Sequence, residues 1–167
     1  MHAYLKYLQH HPDAKYIPVA EYPAGRNHVW AVSCHVAFPC ATQNELNGGD
    51  AEVLLKNGCI RISEGANMPS TPDAIEKILK SGVAYGPSKA ANAGGVATSQ
   101  LEMAQNSSMQ QWSFEEVDGK LFNIMKNIYT NASETAKEFG QPSNLVFGAN
   151  IAGFRKVADA MIDQGVM

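Results

Sequence analysis

Three short segments of the chain combine residue types that can hold a flat polar ligand. They read PCATQNELN (39–47), EGANMPST (64–71) and GPSKAANAGGVATS (86–99). All three are rich in Ala, Gly, Asn, Ser and Thr. Small side chains let a ligand come close to the backbone. Asparagine offers a carbonyl acceptor and an amide donor together, which matches a carboxamide or the hydroxyls of a ribose. Asn67 and Asn92 belong to different segments and can meet over one edge. Gly94 and Gly95 interrupt an alanine-rich stretch that otherwise favours helix, at a cost of roughly 1 kcal/mol each relative to alanine in a helix interior. Near a helix start they would expose backbone N–H groups and the positive end of the helix dipole. Lys89 adds a local positive charge.

Each feature also has a plainer explanation. Asparagine after a strand is commonly a turn residue. Paired glycines serve tight helix packing, and Met68, Met103 and Met109 read as core or interface fillers. What joins the segments is the set of elements that must position them.

Each segment directly follows an apolar run: VSCHVAF (32–38), CIRIS (59–63) or VAY (83–85). The runs start about 25 residues apart, with helical segments between them. That spacing implies consecutive βα units and a parallel sheet. YIPVA (16–20) is a candidate fourth strand, confined to an edge by Pro18. The first intervening helix, DAEVLLKNG, is expected to start at Asp50 as cap and to stop at Gly58. The second, TPDAIEKILKSG, has Thr71 as cap, Pro72 at the first helical position and Gly82 past its end.

The second half is helical. A helix is expected from about Ala90. WSFEEV then offers a capping box of Ser113 and Glu116, with Trp112 and Val117 placed for a hydrophobic staple. Val117, Leu121, Ile124, Ile128, Ala132, Ala136 and Phe139 follow a helical period, which Gly140 and Pro142 end. A last helix carries Ile151, Phe154, Val157, Met161 and Ile162 on one side. The fold class is therefore α/β: a partial Rossmann-like parallel sheet of three to four strands, followed by C-terminal helices. Residues 1–88 form the α/β unit and 89–167 a helical segment packed on it. In an open parallel sheet, ligands bind at the carboxyl ends of the strands, where all three segments fall. Taken alone, the residues describe an α/β domain for a nucleotide-like ligand.

Bulk properties narrow the partners. The 167 residues carry a net charge of −3, with 45% hydrophobic and 17% charged residues. Without a basic run, neither nucleic acid nor an anionic membrane surface is an expected partner. No segment reaches the ~18 apolar residues of a membrane span. The first residues, MHAYLKYLQHHPDAKY, lack the features of a signal peptide. Cys34, Cys40 and Cys59 form no CxxC, so reduced thiols in a cytoplasmic protein are expected. Cys34 and His35 adjoin, but strand neighbours face opposite ways, so no metal site is expected.

PCATQNELNG, SEGANMPSTPDA, KAANAGGVATSQLEMAQN and FGANIAGFRKVADAMIDQGVM resemble, in order, the C-terminal part of hexameric, small-subunit glutamate dehydrogenase. The resemblance covers about residues 30–167. It implies reversible oxidative deamination of L-glutamate to 2-oxoglutarate and ammonia, with hydride passing to NADP or NAD. It further implies that Ala41, Thr42, Gln43, Asn67 and Asn92 contact the cofactor, with Asn92 near the nicotinamide. Val96 would pack on the substrate methylenes, and Ser99 would bind its side-chain carboxylate. NADP is the expected cofactor and a homo-oligomer the expected assembly.

The chain departs from the family pattern at His35, where an Asp is usual, and at Ser88 and Gln100, where Gly is usual. It holds no GxGxxG, and the resemblance places the catalytic lysine and aspartate in a substrate domain outside these motifs. Lys89 matches the cofactor-domain motif, so no catalytic residue is expected here and the chain alone is expected to be inactive. The alternative is a non-catalytic dinucleotide-binding or subunit-interaction module. A ligand-free structural remnant is a third.

Overall fold

A computed structural model describes the backbone of residues 2–165 and the side chains from Lys6 to Gly165. Helix α1 (His2–His10) and two short 3-10 turns (Val19–Glu21 and His28–Ala31) precede the sheet. Strands β1 (Val36–Ala37), β2 (Arg61–Ser63) and β3 (Ala84–Gly86) alternate with α2 (Gly48–Lys56) and α3 (Pro72–Ser81). The helices α4 (Ser88–Ala91), α5 (Ala93–Ser107), α6 (Phe114–Glu138) and α7 (Leu145–Gln164) follow.

The three strands are parallel in the order β1-β2-β3. Val36 sits opposite Arg61, and Ile62 lies between Ala37 and Tyr85. The expected fourth strand is absent: residues 16–20 run irregularly into the turn at Val19–Glu21. Pro18 donates no ladder hydrogen bond, and its carbonyl instead accepts the Glu21 N–H at 2.9 Å. The apolar run 32–38 is likewise mostly non-strand, with only Val36 and Ala37 in the ladder.

The core joins the inner face of the sheet to α2 and α3. Ala37, Ile62 and Tyr85 pack with Leu46, Ala51, Leu54, Cys59, Ala74, Ile78 and Trp30. Burying a Leu or Ile side chain contributes roughly 1.5–3 kcal/mol, and Leu46, Leu54, Ile62 and Ile78 are all fully buried.

Local signals explain the helix ends, with one correction. α2 begins two residues before the expected cap. Asn47 is the cap, its side chain accepting the Asp50 N–H at 3.0 Å. Asp50 lies inside the first turn, buried, where its Oδ1 accepts the Asn27 N–H at 3.0 Å. That bond ties Asn27 to α2. Gly48 lets α3 come close there: a Cβ would lie 2.0 Å from Asp73 Oδ2, and the Asp73 side chain would have to move. α3 starts after Thr71 with Pro72 at its first position, and Gly82 ends it in the left-handed conformation at φ 77°. The Thr71 hydroxyl bonds the Asp73 carboxylate, not a backbone amide.

α6 carries the full capping box: Ser113 Oγ accepts the Glu116 N–H at 3.2 Å, and Glu116 Oε2 accepts the Ser113 N–H at 2.7 Å. Its buried stripe ends at Ala132, Thr135 and Ala136, and Phe139 beyond it is half exposed. Trp112 lies under the Lys120 ammonium, 4.7 Å from the ring centroid. α7 crosses α6 at Gly148, where a Cβ would lie 1.9 Å from the Ala132 carbonyl oxygen. Arg155 on α7 forms a two-pronged pair with Glu138 on α6, at 2.8 and 3.1 Å. α7 also contacts β3, which places the helical half against the end of the sheet.

Candidate functional site

The loops after the three strands meet at one end of the sheet, and backbone hydrogen bonds lace them together. Gly65 and Ala66 N–H both donate to the Pro39 carbonyl, at 2.9 and 3.1 Å. Asn44 N–H donates to Met68 O and Leu46 N–H to Pro69 O, both at 3.0 Å. Asn44 and Met68 are both left-handed, at φ 57° and 49°. For methionine that is an unusual state, held here by the paired loops. Glu45 folds the first loop back on itself, Oε1 accepting the Ala41 N–H at 2.8 Å and the Thr42 N–H at 3.3 Å. Trp30 steadies the same loop by donating its indole N–H to the Glu45 carbonyl at 2.9 Å.

These loops and the start of α5 enclose an open cleft of about 580 Å³. Cys40, Ala41, Thr42, Gln43, Gly65, Ala66, Asn67, Asn92 and Val96 line it. All five residues expected at the cofactor are therefore in one place, together with Val96. Ser99 is not in the lining. It lies one turn further along α5, exposed, its hydroxyl donating to the Gly95 carbonyl at 3.2 Å.

Asn67 and Asn92 meet directly. Asn92 Nδ2 donates to Asn67 Oδ1 at 2.5 Å and to the Ala66 carbonyl at 3.3 Å. Among the described residues this leaves Asn92 Oδ1 and Asn67 Nδ2 without a partner. One acceptor and one donor at a cleft wall are the complement of a primary carboxamide. Asn92 can do this because it separates α4 from α5: it caps both, at φ −88° and ψ 0°.

The glycines behave differently from each other. Gly94 and Gly95 occupy the second and third positions of α5, at its dipole-positive end. A Cβ on Gly94 would touch Met125 and Leu121 of α6 at ordinary contact distances, whereas one on Gly95 would meet open space. Neither glycine is in the cleft lining, and neither is demanded by packing among the described residues. Lys89 also departs from expectation. Its ammonium bonds the Asn150 side chain of α7, and it borders a groove between α4, α6 and α7 instead of the cleft. Met68, Met103 and Met109 are all exposed, so none fills the core.

Sequence reasoning passed over Cys40, Gly65, Ala66 and Glu64. Gly65 had a usable signal, a glycine two residues past a strand end. A Cβ there would lie 2.5 Å from Cys40 Sγ, so a larger residue would have to turn the Cys40 side chain aside. Glu64 is 2% exposed, and its Oε2 accepts the Ser88 N–H at the start of α4 at 2.8 Å. Its other oxygen, the Ser70 hydroxyl and the Tyr85 hydroxyl are buried with no well-formed hydrogen bond among the described residues. Burial, reinforced by the Glu64 carboxyl, pushes the Tyr85 phenol far above its ordinary range.

Among the described residues, no group of three or more His, Cys, Asp or Glu side chains is placed to hold a metal ion. The three cysteines are free, and no described helix is long and apolar enough to cross a membrane.

A parallel sheet whose strand-end loops close on one polar cleft defines an α/β protein of the open parallel-sheet class. The sequence profile of the family described as Glutamate/Leucine/Phenylalanine/Valine dehydrogenase matches residues 2–165, and the chain belongs to that family. The chain is 60% identical over 161 residues to a protein named NADP-specific glutamate dehydrogenase from Helicobacter pylori, covering 96% of this chain and 36% of that one. A protein of the same name from Chlorella sorokiniana is 53% identical over 150 residues, covering 89% of this chain and 28% of that one. Among solved structures, glutamate dehydrogenase from Plasmodium falciparum superposes with a TM-score of 0.86 at 50% identity, covering 97% of this chain and 33% of that chain. The chain thus spans about a third of the length of these relatives.

Proposed function

We propose that this chain supplies the nicotinamide-facing wall of the cofactor site, and part of the substrate site, of an NADP-dependent glutamate dehydrogenase. The reaction is the reversible oxidative deamination of L-glutamate to 2-oxoglutarate and ammonia. The observation that carries this reading is the Asn67–Asn92 pair. Both residues line a cleft shared with Ala41, Thr42, Gln43 and Val96, and neither Asn92 Oδ1 nor Asn67 Nδ2 has a partner among the described residues. The small residues of the cleft leave room for a flat ring against the backbone. NADP is preferred over NAD because the relatives from Helicobacter pylori and Chlorella sorokiniana are named NADP-specific.

When bound, the dinucleotide supplies the hydride acceptor or donor. The residues of this chain orient it. Asn92 and Asn67 hold the carboxamide, which fixes which face of the ring meets the substrate. Val96 packs on the substrate methylenes, and Ser99, one turn along α5, takes the side-chain carboxylate. No described residue is assigned as general acid or base, and Lys89 is held against α7. Proton transfer and most of the pyrophosphate contacts therefore belong to the remaining two thirds of the length seen in the relatives. The chain by itself is inactive, acts in a homo-oligomer, and works in the cytoplasm.

A second reading, a dinucleotide-binding or subunit-interaction module without catalysis, is favoured by the exposed apolar residues of α7. Phe154, Val157, Met161 and Ile162 all face outward. NADPH titration followed by nicotinamide fluorescence, with NADH as control, tests the first reading. Saturable binding that favours NADPH is expected. A folded sample that binds neither nucleotide into the millimolar range overturns it.

A further inference from the structure

Glu64 is a buried carboxylate beside the cleft that contributes nothing to its lining. A carboxylate in such a place is costly unless it is well hydrogen-bonded. Its position explains what it does. It is the first residue after β2, and Asn67 lies three residues later in the same loop. Its backbone N–H donates to the Gly86 carbonyl at 3.0 Å, at the end of β3. Its Oε2 accepts the Ser88 N–H at 2.8 Å, the first helical position of α4. α4 is a single turn that ends at Asn92. Glu64 therefore grips both ends of the short connection from β3 into α4. One turn later Asn92 reaches back to Ala66 and Asn67.

We propose that Glu64 is a positioning residue: by clamping the start of α4 to the end of β2, it sets the separation of Asn67 and Asn92, and with it the carboxamide-binding pair. The inference rests on the cofactor reading above. The alternative, that Glu64 only stabilises the fold, differs in consequence. A general stabiliser would lower the melting temperature and leave the geometry of the surviving folded molecules alone. A clamp would loosen the Asn92 end of α4 in molecules that are otherwise intact.

Chemistry around the carboxylate distinguishes the variants. Glu64→Gln keeps an oxygen to accept the Ser88 N–H. Its new amide can donate to the Tyr85 or Ser70 hydroxyl, both buried without a well-formed hydrogen bond. Glu64→Leu keeps the bulk and removes the acceptor. Ser88→Pro removes the donor and sets its ring Cδ where the N–H pointed at Oε2, so the carboxylate is displaced as well. Proline suits a first helical position, and the preceding Pro87 is already extended at φ −69° and ψ 146°.

The test measures two quantities on the full chain: the side-chain amide NMR signals of Asn67 and Asn92 without ligand, and NADPH affinity by nicotinamide fluorescence. Loss of the clamp is expected to shift and broaden both amide signals in Glu64→Leu and in Ser88→Pro. The NADPH affinity should fall about tenfold in each, the scale of one hydrogen bond to a charged group. Glu64→Gln should restore both readouts to near the wild-type values. Unchanged amide signals in folded Ser88→Pro overturn the proposal, even where Glu64→Leu fails to fold. A wild-type chain that binds no NADPH overturns the cofactor reading instead, and the amide signals then decide the clamp alone.

Discussion

At the scale of single residues, the site rests on short polar contacts between loops that are distant in sequence. Asn92 makes two of them through its side-chain nitrogen, to Ala66 and Asn67. Asn92→Ala is expected to lower NADPH affinity roughly 3- to 10-fold, the value of one or two neutral hydrogen bonds, with little change in melting temperature. An unchanged dissociation constant from the fluorescence titration would remove Asn92 from the site. Gly95 sets a sharper contrast between fold and function. A Cβ there meets open space, and its backbone is not left-handed, so Gly95→Ala should stabilise the chain by about 0.5–1 kcal/mol. Gly95→Val should fold equally well, and loss of cofactor binding is expected. It tests whether a ligand in the cleft extends over the start of α5, since Gly95 itself lies outside the cleft lining. Thermal melts and titrations on the same samples check both halves. Retained affinity in the valine variant would end the close-approach argument for this glycine.

At the scale of elements, the helical half depends on how closely α6 and α7 approach. Gly148 permits that approach, since any Cβ would strike the Ala132 carbonyl. The neighbour is backbone and cannot swing away, so Gly148→Ala should cost roughly 1–3 kcal/mol. For a chain of this size that is a drop of about 5 °C in the melting temperature, readable by circular dichroism at 222 nm. The same helix pair carries the Arg155–Glu138 contact. Hydrogen bonding to the Arg155 guanidinium holds the Glu138 carboxyl below the ordinary glutamate range. A depressed carboxylate stabilises the fold above its unfolded pKa, and the contribution disappears as pH falls through the folded value. Glu138→Gln should therefore melt slightly below wild type at pH 7, and the gap should close below about pH 4. A gap of constant size down to pH 2 would show that charge is not its origin.

At the scale of the whole molecule, the described structure leaves much apolar surface in water. Phe154 is 69% exposed and Ile162 71%, both on α7; Phe38 beside the edge strand β1 is 63% exposed. β1 pairs on one side only, with β2, and presents its other edge unpaired. Large outward apolar residues of this kind mark contact surfaces. Self-association is expected, with a weight-average mass in sedimentation equilibrium that rises with concentration. A strictly monomeric species at high concentration would count against it. The dehydrogenase relatives are about three times longer than this chain.

Local physics made a large part of this legible without coordinates. The proline and glycine at the two ends of α3 and the Ser113–Glu116 box both act over four residues or fewer. They read the same in the sequence as in the fold. The identity of the three loops as one site followed from a parallel sheet placing its strand ends on one edge. What only the tertiary structure decided lies where segments more than 20 residues apart choose which way a side chain turns. The bond between Asn67 and Asn92, the turning of Lys89 toward Asn150 and the turning of Asp50 toward Asn27 are all of this kind. So is the burial of Glu64, a charged residue that composition alone assigns to the surface. Spacing along a chain gives periodicity, whereas the facing of a side chain is settled by the packing of elements against each other. The sequence determined which residues stand at the strand ends, and packing decided which of them face the cleft.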